Sequence, residues 1–244
     1  NVLVGYAAGD ALTDADFNVA VGRAALSTDT KGSKSTAIGQ GALNVQNFTT
    51  ATDTFNTAVG FFAGLNVTTG QKNTLLGGLA GDALTDADFN VAIGYAALTS
   101  DTLGSKSVAV GRTALSAQNF TTATEAYNVA VGYDAGAAVT TGVNNVLVGG
   151  LAGDAITDAD NNTAIGNAAL GANTVGSQMT AIGAGALNSA NPATATDMWN
   201  VAVGVNAGLS VTTGVENTLI GGRAGLYLTD ADYNIALGYA ALDS

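Results

Sequence analysis

Cysteine and histidine are both missing from these 244 residues. Without cysteine, no disulfide contributes to stability. Without histidine, histidine-based catalytic triads, most zinc sites and the commonest general base are excluded. Basic residues are also scarce, 7 against 19 acidic, for a formal charge of −12. Nucleic-acid binding needs a basic footprint, and an anionic lipid surface repels such a chain, so neither is an expected partner. No apolar run approaches the ~20 residues that span a membrane, and no membrane insertion is expected in this segment. Aromatic residues make up only 6% of a chain that is 47% hydrophobic. That is too few large rings for the core of an ordinary globule. Ala, Val, Gly and Thr dominate instead, which suits a thin object built of closely stacked backbones. The chain starts at Asn1 with nothing resembling a signal peptide, so it reads as a segment of something longer.

What the sequence does have is repetition. "NVAVGRAALS" at Asn18 returns as "NVAVGYDAGA" at Asn128 and "NVAVGVNAGLS" at Asn200. The Gly that closes each phrase falls at Gly5, Gly22, Gly39, Gly60 and onward to Gly238, fourteen times in all. The steps are 17, 17, 21 and 17 residues, and this 72-residue cycle then recurs. Periods of this size mark stacked repeats. Each short β-branched run, such as Val19 to Val21 or Thr57 to Val59, reads as a strand, and the Gly after it as a bend. A second short strand with Ala three residues past the Gly (Ala25, Ala42, Ala63) and a polar loop should complete one coil. A helix is excluded because Gly, Thr and Val recur where helix formers are wanted. The fold class expected is all-β, a parallel β-solenoid, one repeat domain over 1–244 with about fourteen coils.

Alternation along each strand sends neighbouring side chains to opposite faces. Size suggests that the large aliphatic residue before each Gly (Val21, Ile38, Val59, Leu76, Ile93) fills the coil. The residue before that one (Ala20, Ala37, Ala58, Leu75, Ala130) should then face outward, as an apolar strip buried against other copies of the chain. Asn opens most phrases (Asn18, Asn56, Asn73, Asn90, Asn128, Asn162), and stacked Asn should form a side-chain amide ladder.

Phrases such as "STAIGQGAL" (Ser35 to Leu43), "SVAVGRTAL" (Ser107 to Leu115) and "NTAIGNAAL" (Asn162 to Leu170) resemble the head repeats of YadA-like trimeric autotransporter adhesins. Similar repeats occur in bacteriophage tail fibres. The resemblance covers nearly the whole chain through one short motif. It implies a left-handed β-roll, three copies packed around a fibre axis, and attachment to a cell surface. The coils here are longer than those of adhesin heads, and neither a coiled-coil stalk nor a membrane-anchor barrel is present. Both departures lean toward the phage fibre.

Several constellations imitate functional sites. The "GDALTDAD" loops gather Asp10, Asp14 and Asp16, then Asp82, Asp86 and Asp88, then Asp154, Asp158 and Asp160, with Asp230 and Asp232 last. Such carboxylates could hold Ca²⁺, but no known calcium-loop pattern is present, and Asp is a preferred turn residue. The Gly-rich pieces recur in every coil, so they are architectural rather than phosphate cradles. Paired acids could cleave glycosides, yet these recur along the chain without a cleft-forming insertion. Aromatics at Phe17, Phe55, Phe89, Tyr127, Trp199 and Tyr233 sit before alternate phrases, where they shield the strand edge or stack on sugars. The "VTTG" loops at Val67, Val139 and Val211 are too sparse for an ice-binding array.

The expectation is therefore a non-catalytic structural segment of an extracellular homotrimeric fibre that mediates attachment to a cell surface, as in a phage tail fibre or a bacterial adhesin head. Its partners would be its own copies and a cell-surface receptor, a glycan among the options. No catalytic, cofactor-binding or metal-binding residue is expected. The competing readings are a carbohydrate-cleaving fibre domain and a Ca²⁺-dependent or ice-binding β-solenoid.

Overall fold

Residues 1–243 are described by a computed structural model, and among them there is no helix. The protein is a parallel β-solenoid of about fourteen turns. It forms two compact units, Asn1–Ala126 and a second that starts at Tyr127. In the first, Val2–Val4, Val19–Val21, Thr36–Ile38, Thr57–Val59, Thr74–Leu76, Val91–Ile93 and Val108–Val110 pair in that order, all parallel. In the second, Val129–Val131, Val146–Val148, Thr163–Ile165, Thr180–Ile182, Val201–Val203, Thr218–Ile220 and Ile235–Leu237 do the same. Every pairing keeps the repeat register, so Ala37 faces Ala58 and Ala58 faces Leu75.

The second short strand expected after each Gly is not there. The chain instead passes through tight turns in which alternate residues are left-handed, Ala24 at φ 56° and Leu26 at φ 50°. A coil of 17 residues must turn that sharply to close. Its backbone groups still pair between coils: Ala24 donates to the Tyr6 carbonyl and Leu26 to that of Ala42. Two-residue strands do occur elsewhere, where the 21-residue coils pass their neighbours. Gly32–Ser33 pairs with Thr52–Asp53, and Gly104–Ser105 with Thr124–Glu125.

The faces of the main strand are the reverse of the expected ones. Ala58 is 0% exposed, whereas Val59 is 36% exposed and Ile38 37%. Ala20, Ala37, Leu75 and Ala130 are likewise fully buried. The coil is so narrow that the middle residue of the strand must share its interior with the buried Ala three residues past each Gly (Ala25, Ala42, Ala63). Only Ala fits, and the β-branched residues turn outward. Leu75 is an exception with its own compensation. A Cβ placed on Gly64 or Gly81 would come within 2.7 or 2.8 Å of the Leu75 methyls, so two glycines make room for one leucine. Leu219 stands between Gly208 and Gly225 in the same way, at 2.8 Å from each.

The Asn column is buried from Asn18 to Asn217. The expected amide-to-amide bonds occur at some steps, Asn217 to Asn200 at 3.2 Å and Asn234 to Asn217 at 3.0 Å, while bonds to backbone recur along it. Asn73 Oδ1 accepts the backbone N–H of Asn90 at 2.9 Å, and its Nδ2 donates to the Ala87 carbonyl at 2.7 Å. The same pair of bonds recurs from Asn18 to Ser35 and Gly32, and from Asn145 to Asn162 and Ala159. Each amide thus ties the corner of its own coil to the backbone of the next. Asn73→Ala should cost about 2–4 kcal/mol, because it leaves one buried donor and one buried acceptor unpaired. Urea unfolding at unchanged m reads that loss, and an unaltered midpoint would contradict the assignment.

Candidate functional site

Three surfaces and one buried cluster hold most of the polar or exposed apolar groups that could do chemistry. The first is the outer face of the sheet. In each unit it presents two residues per strand, the pairs Thr36 with Ile38 and Val91 with Ile93 being typical, and none is charged. The residue following the Gly is mixed, an exposed ring at Tyr6, Phe61 and Tyr95 but an exposed arginine at Arg23 and Arg112. The outward apolar strip that the sequence suggested thus exists, but it is made of Val, Ile, Leu and Thr rather than of Ala.

The buried cluster lies beneath the first 21-residue coil. Gln46 donates to Asp29 Oδ2 at 2.6 Å and to Ser35 Oγ at 3.0 Å, while its own oxygen accepts from Asn56 at 2.8 Å. The other oxygen of Asp29 accepts the backbone N–H groups of Gly32 and Phe48. Every one of these side chains is sealed from solvent. Asp101, Gln118 and Ser107 repeat the arrangement 72 residues later. In the third copy the corresponding residues are Asn173, Ala190 and Met179. Where the glutamine donor is gone, the carboxylate is gone too, because a buried charge without a donor is costly. Asn173 closes on Gly176 by itself, accepting from its N–H and donating to its carbonyl, each at 2.8 Å. An Asp–Gln–Ser set that is sealed and replaceable holds a loop in place and has no route to a substrate. Sequence reading missed it, although Asp29, Asp101, Gln46 and Gln118 recur at the 72-residue spacing.

The Asp loops make turns. Asp88 Oδ1 accepts the backbone N–H of Gln71 at 2.7 Å, and Asp160 Oδ1 that of Val143 at 2.7 Å. Asp86 accepts from the Thr69 hydroxyl at 2.7 Å, and Asp82 from that of Thr99. These four carboxylates bond the neighbouring coil, whereas Asp158 and Asp230 accept from the adjacent Thr157 and Thr229 hydroxyls of their own loops, each at 3.1 Å. Among the described residues no group of three or more acids converges on one point. Burial pushes the Asp154 carboxyl above the usual carboxylate range, and the Asp134 charge adds to it, against an opposing backbone hydrogen bond. The first Thr of the VTTG loops also bonds between coils, Thr68 Oγ1 to the Thr85 carbonyl and Thr140 Oγ1 to that of Thr157.

The corner aromatics are exposed rather than packed away. Phe17, Phe55, Phe89 and Trp199 all occupy the left-handed region, as do the Lys residues of intervening coils, Lys34, Lys72 and Lys106. In the first unit the column alternates Phe and Lys. Lys34 Nζ lies 5.1 Å from the Phe55 ring centroid, and Lys72 Nζ 4.7 Å from that of Phe89. Lys34 also pairs with Asp53, and Lys106 with Glu125. A groove of about 470 Å³ opens here, lined by Asp86, Asp88, Phe89, Lys106, Thr124 and Glu125.

No family model, no curated protein and no solved structure matches this chain. The three copies of the 72-residue repeat are then the comparison that bears on its residues. They separate what every copy keeps, the Gly and Asn columns, from what varies, the buried Asp–Gln pair and the corner rings.

Proposed function

We propose that this chain is a non-catalytic segment of an extracellular homotrimeric fibre that mediates attachment to a cell surface, of the kind found in phage tail fibres or adhesin heads. The observation that carries this reading is the uncharged outer face of the sheet, held in register from strand to strand within each unit. In a single copy that face would leave rows of Val, Ile and Leu against water. Packing three β-rolls through it removes them from solvent, and a rigid in-register face suits a rod better than a cleft enzyme. The left-handed sense and the number three rest on the resemblance to YadA-like head repeats. The acidic balance fits a role away from nucleic acid and anionic lipid.

The mass of the chain in neutral buffer tests the proposal. Three copies are expected, and Ile165→Asp, which places a charge on the outer face, should yield a folded single copy. A parent that is already a single copy would overturn it.

A further inference from the structure

The geometry points to a neutral-glycan binding groove on the side of the first unit, present twice. This deepens the attachment reading by naming the receptor chemistry, and it rests on that reading only for its biological purpose. The better-formed copy is the groove around Phe89. Its volume, about 470 Å³, lies within the range of small-ligand sites. Phe89 is 47% exposed and presents its ring at the groove, although it occupies a backbone region unfavourable for a bulky residue, at φ 60°. Around it stand two kinds of hydrogen-bonding group: the carboxylates of Asp86, Asp88 and Glu125, and the Lys106 ammonium with the Thr124 hydroxyl.

A pyranose matches this set. Its C–H face lies on an aromatic ring, and its hydroxyls donate to carboxylates and accept from ammonium and hydroxyl groups. Three carboxylates stand against two ammoniums, Lys106 and the Lys72 that lies 4.7 Å from the Phe89 ring centroid, which leaves an excess of one negative charge. An acidic sugar or a phosphate is thereby disfavoured, and a neutral glycan is selected.

The internal repeat supplies the comparison. Asp14, Asp16, Phe17, Lys34, Thr52 and Asp53 hold the corresponding positions 72 residues earlier. The local bonds recur there: the Asp16 N–H donates to Ser33 Oγ at 2.9 Å as that of Asp88 does to Ser105 Oγ, and the Lys34–Asp53 pair matches Lys106–Glu125. In the third copy the Asp160 N–H still donates to Ser177 Oγ, at 3.0 Å, so the backbone is the same. There, however, the ring is Asn161 and the ammonium is Gln178. The scaffold does not need Phe and Lys at these corners, since the third copy folds the same way without them. Two copies keep them for something other than folding.

Calorimetric titration of the intact chain with cello-, chito-, manno- and maltohexaose tests the proposal, with a sialyl-oligosaccharide as the anionic probe. At least one neutral hexasaccharide should bind at two sites per chain, and the sialylated probe more weakly. Phe89→Ala should leave one site, and Phe17→Ala with Phe89→Ala should weaken binding about tenfold or more. Adding Asn161→Phe and Gln178→Lys to the parent should raise the ratio to three, a gain that no folding defect can imitate. The proposal is overturned if no neutral probe binds, if the sialylated probe binds best, if the double alanine variant binds as the parent does, or if the ratio stays at two in the third-copy variant. The copy number of the parent, read by mass, decides the fibre reading separately.

Discussion

Ala164→Asp should unfold the second unit, while the same change one residue later, Ile165→Asp, should leave it folded. Ala164 is 0% exposed and lies between Leu147 and Ala181 on the adjacent strands. The interior there is alanine and leucine, with no donor for a carboxylate. An isolated buried charge costs several kcal/mol even after relaxation. A solenoid also has no other place to absorb the damage, because its stability is a sum over neighbouring coils, and one broken coil uncouples those on either side. A loss of ~4 kcal/mol or more corresponds to a fall in melting temperature beyond ~15 °C for a unit of this size. Ile165 is 38% exposed, so its replacement can keep its carboxylate in water in a single copy. Circular dichroism separates the two: the Ala164 variant should lose β-structure or melt far earlier, and the Ile165 variant should retain the parent spectrum. Equal melting of the Ala164 variant and the parent would refute the inward assignment of the middle residue.

Gly77→Ala should be nearly as damaging, through the backbone rather than through charge. Gly77 has φ 140°, a region that side chains rarely adopt, and a Cβ there would meet the Gly94 carbonyl oxygen at 2.4 Å. That oxygen belongs to the backbone of the next coil, so it cannot swing aside as a side-chain end could. Relief requires the two coils to separate, which breaks the pairing of Thr74–Leu76 with Val91–Ile93. Backbone strain of this kind costs about 1–3 kcal/mol before any ladder bond is lost. Gly78→Ala is the matched control. It lacks a positive φ, and a Cβ there meets nothing closer than 3.6 Å. Urea midpoints should fall sharply for Gly77→Ala and hardly move for Gly78→Ala, and equal midpoints would count against a close-packed glycine column.

By itself, the sequence determined the class of object. Fourteen glycines in a 17-17-21-17 cycle leave only a stacked coil, in which a Gly such as Gly22, Gly77 or Gly149 stands where the next coil's backbone comes within reach. It also determined that the Asn position is structural, and that histidine and cysteine chemistry is absent. It could not determine which strand face is inside. Alternation says only that Ala58 and Val59 point opposite ways. Choosing between them needs the width of the closed coil, a property of the opposing wall at Ala63 and of the turns that bring it close. The turns were misread for a related reason. Ala24 and Leu26 favour no left-handed backbone on their own, and closure of a short coil imposes it on them. The groove was legible only in part. The corner rings stand out in the sequence, but Phe89 and Glu125 are 36 positions apart and meet only because the 21-residue coil returns its Thr124–Glu125 strand alongside Gly104–Ser105. Local residue preference sets what each coil contains, and the closing and stacking of coils decides what faces inward and what meets across them.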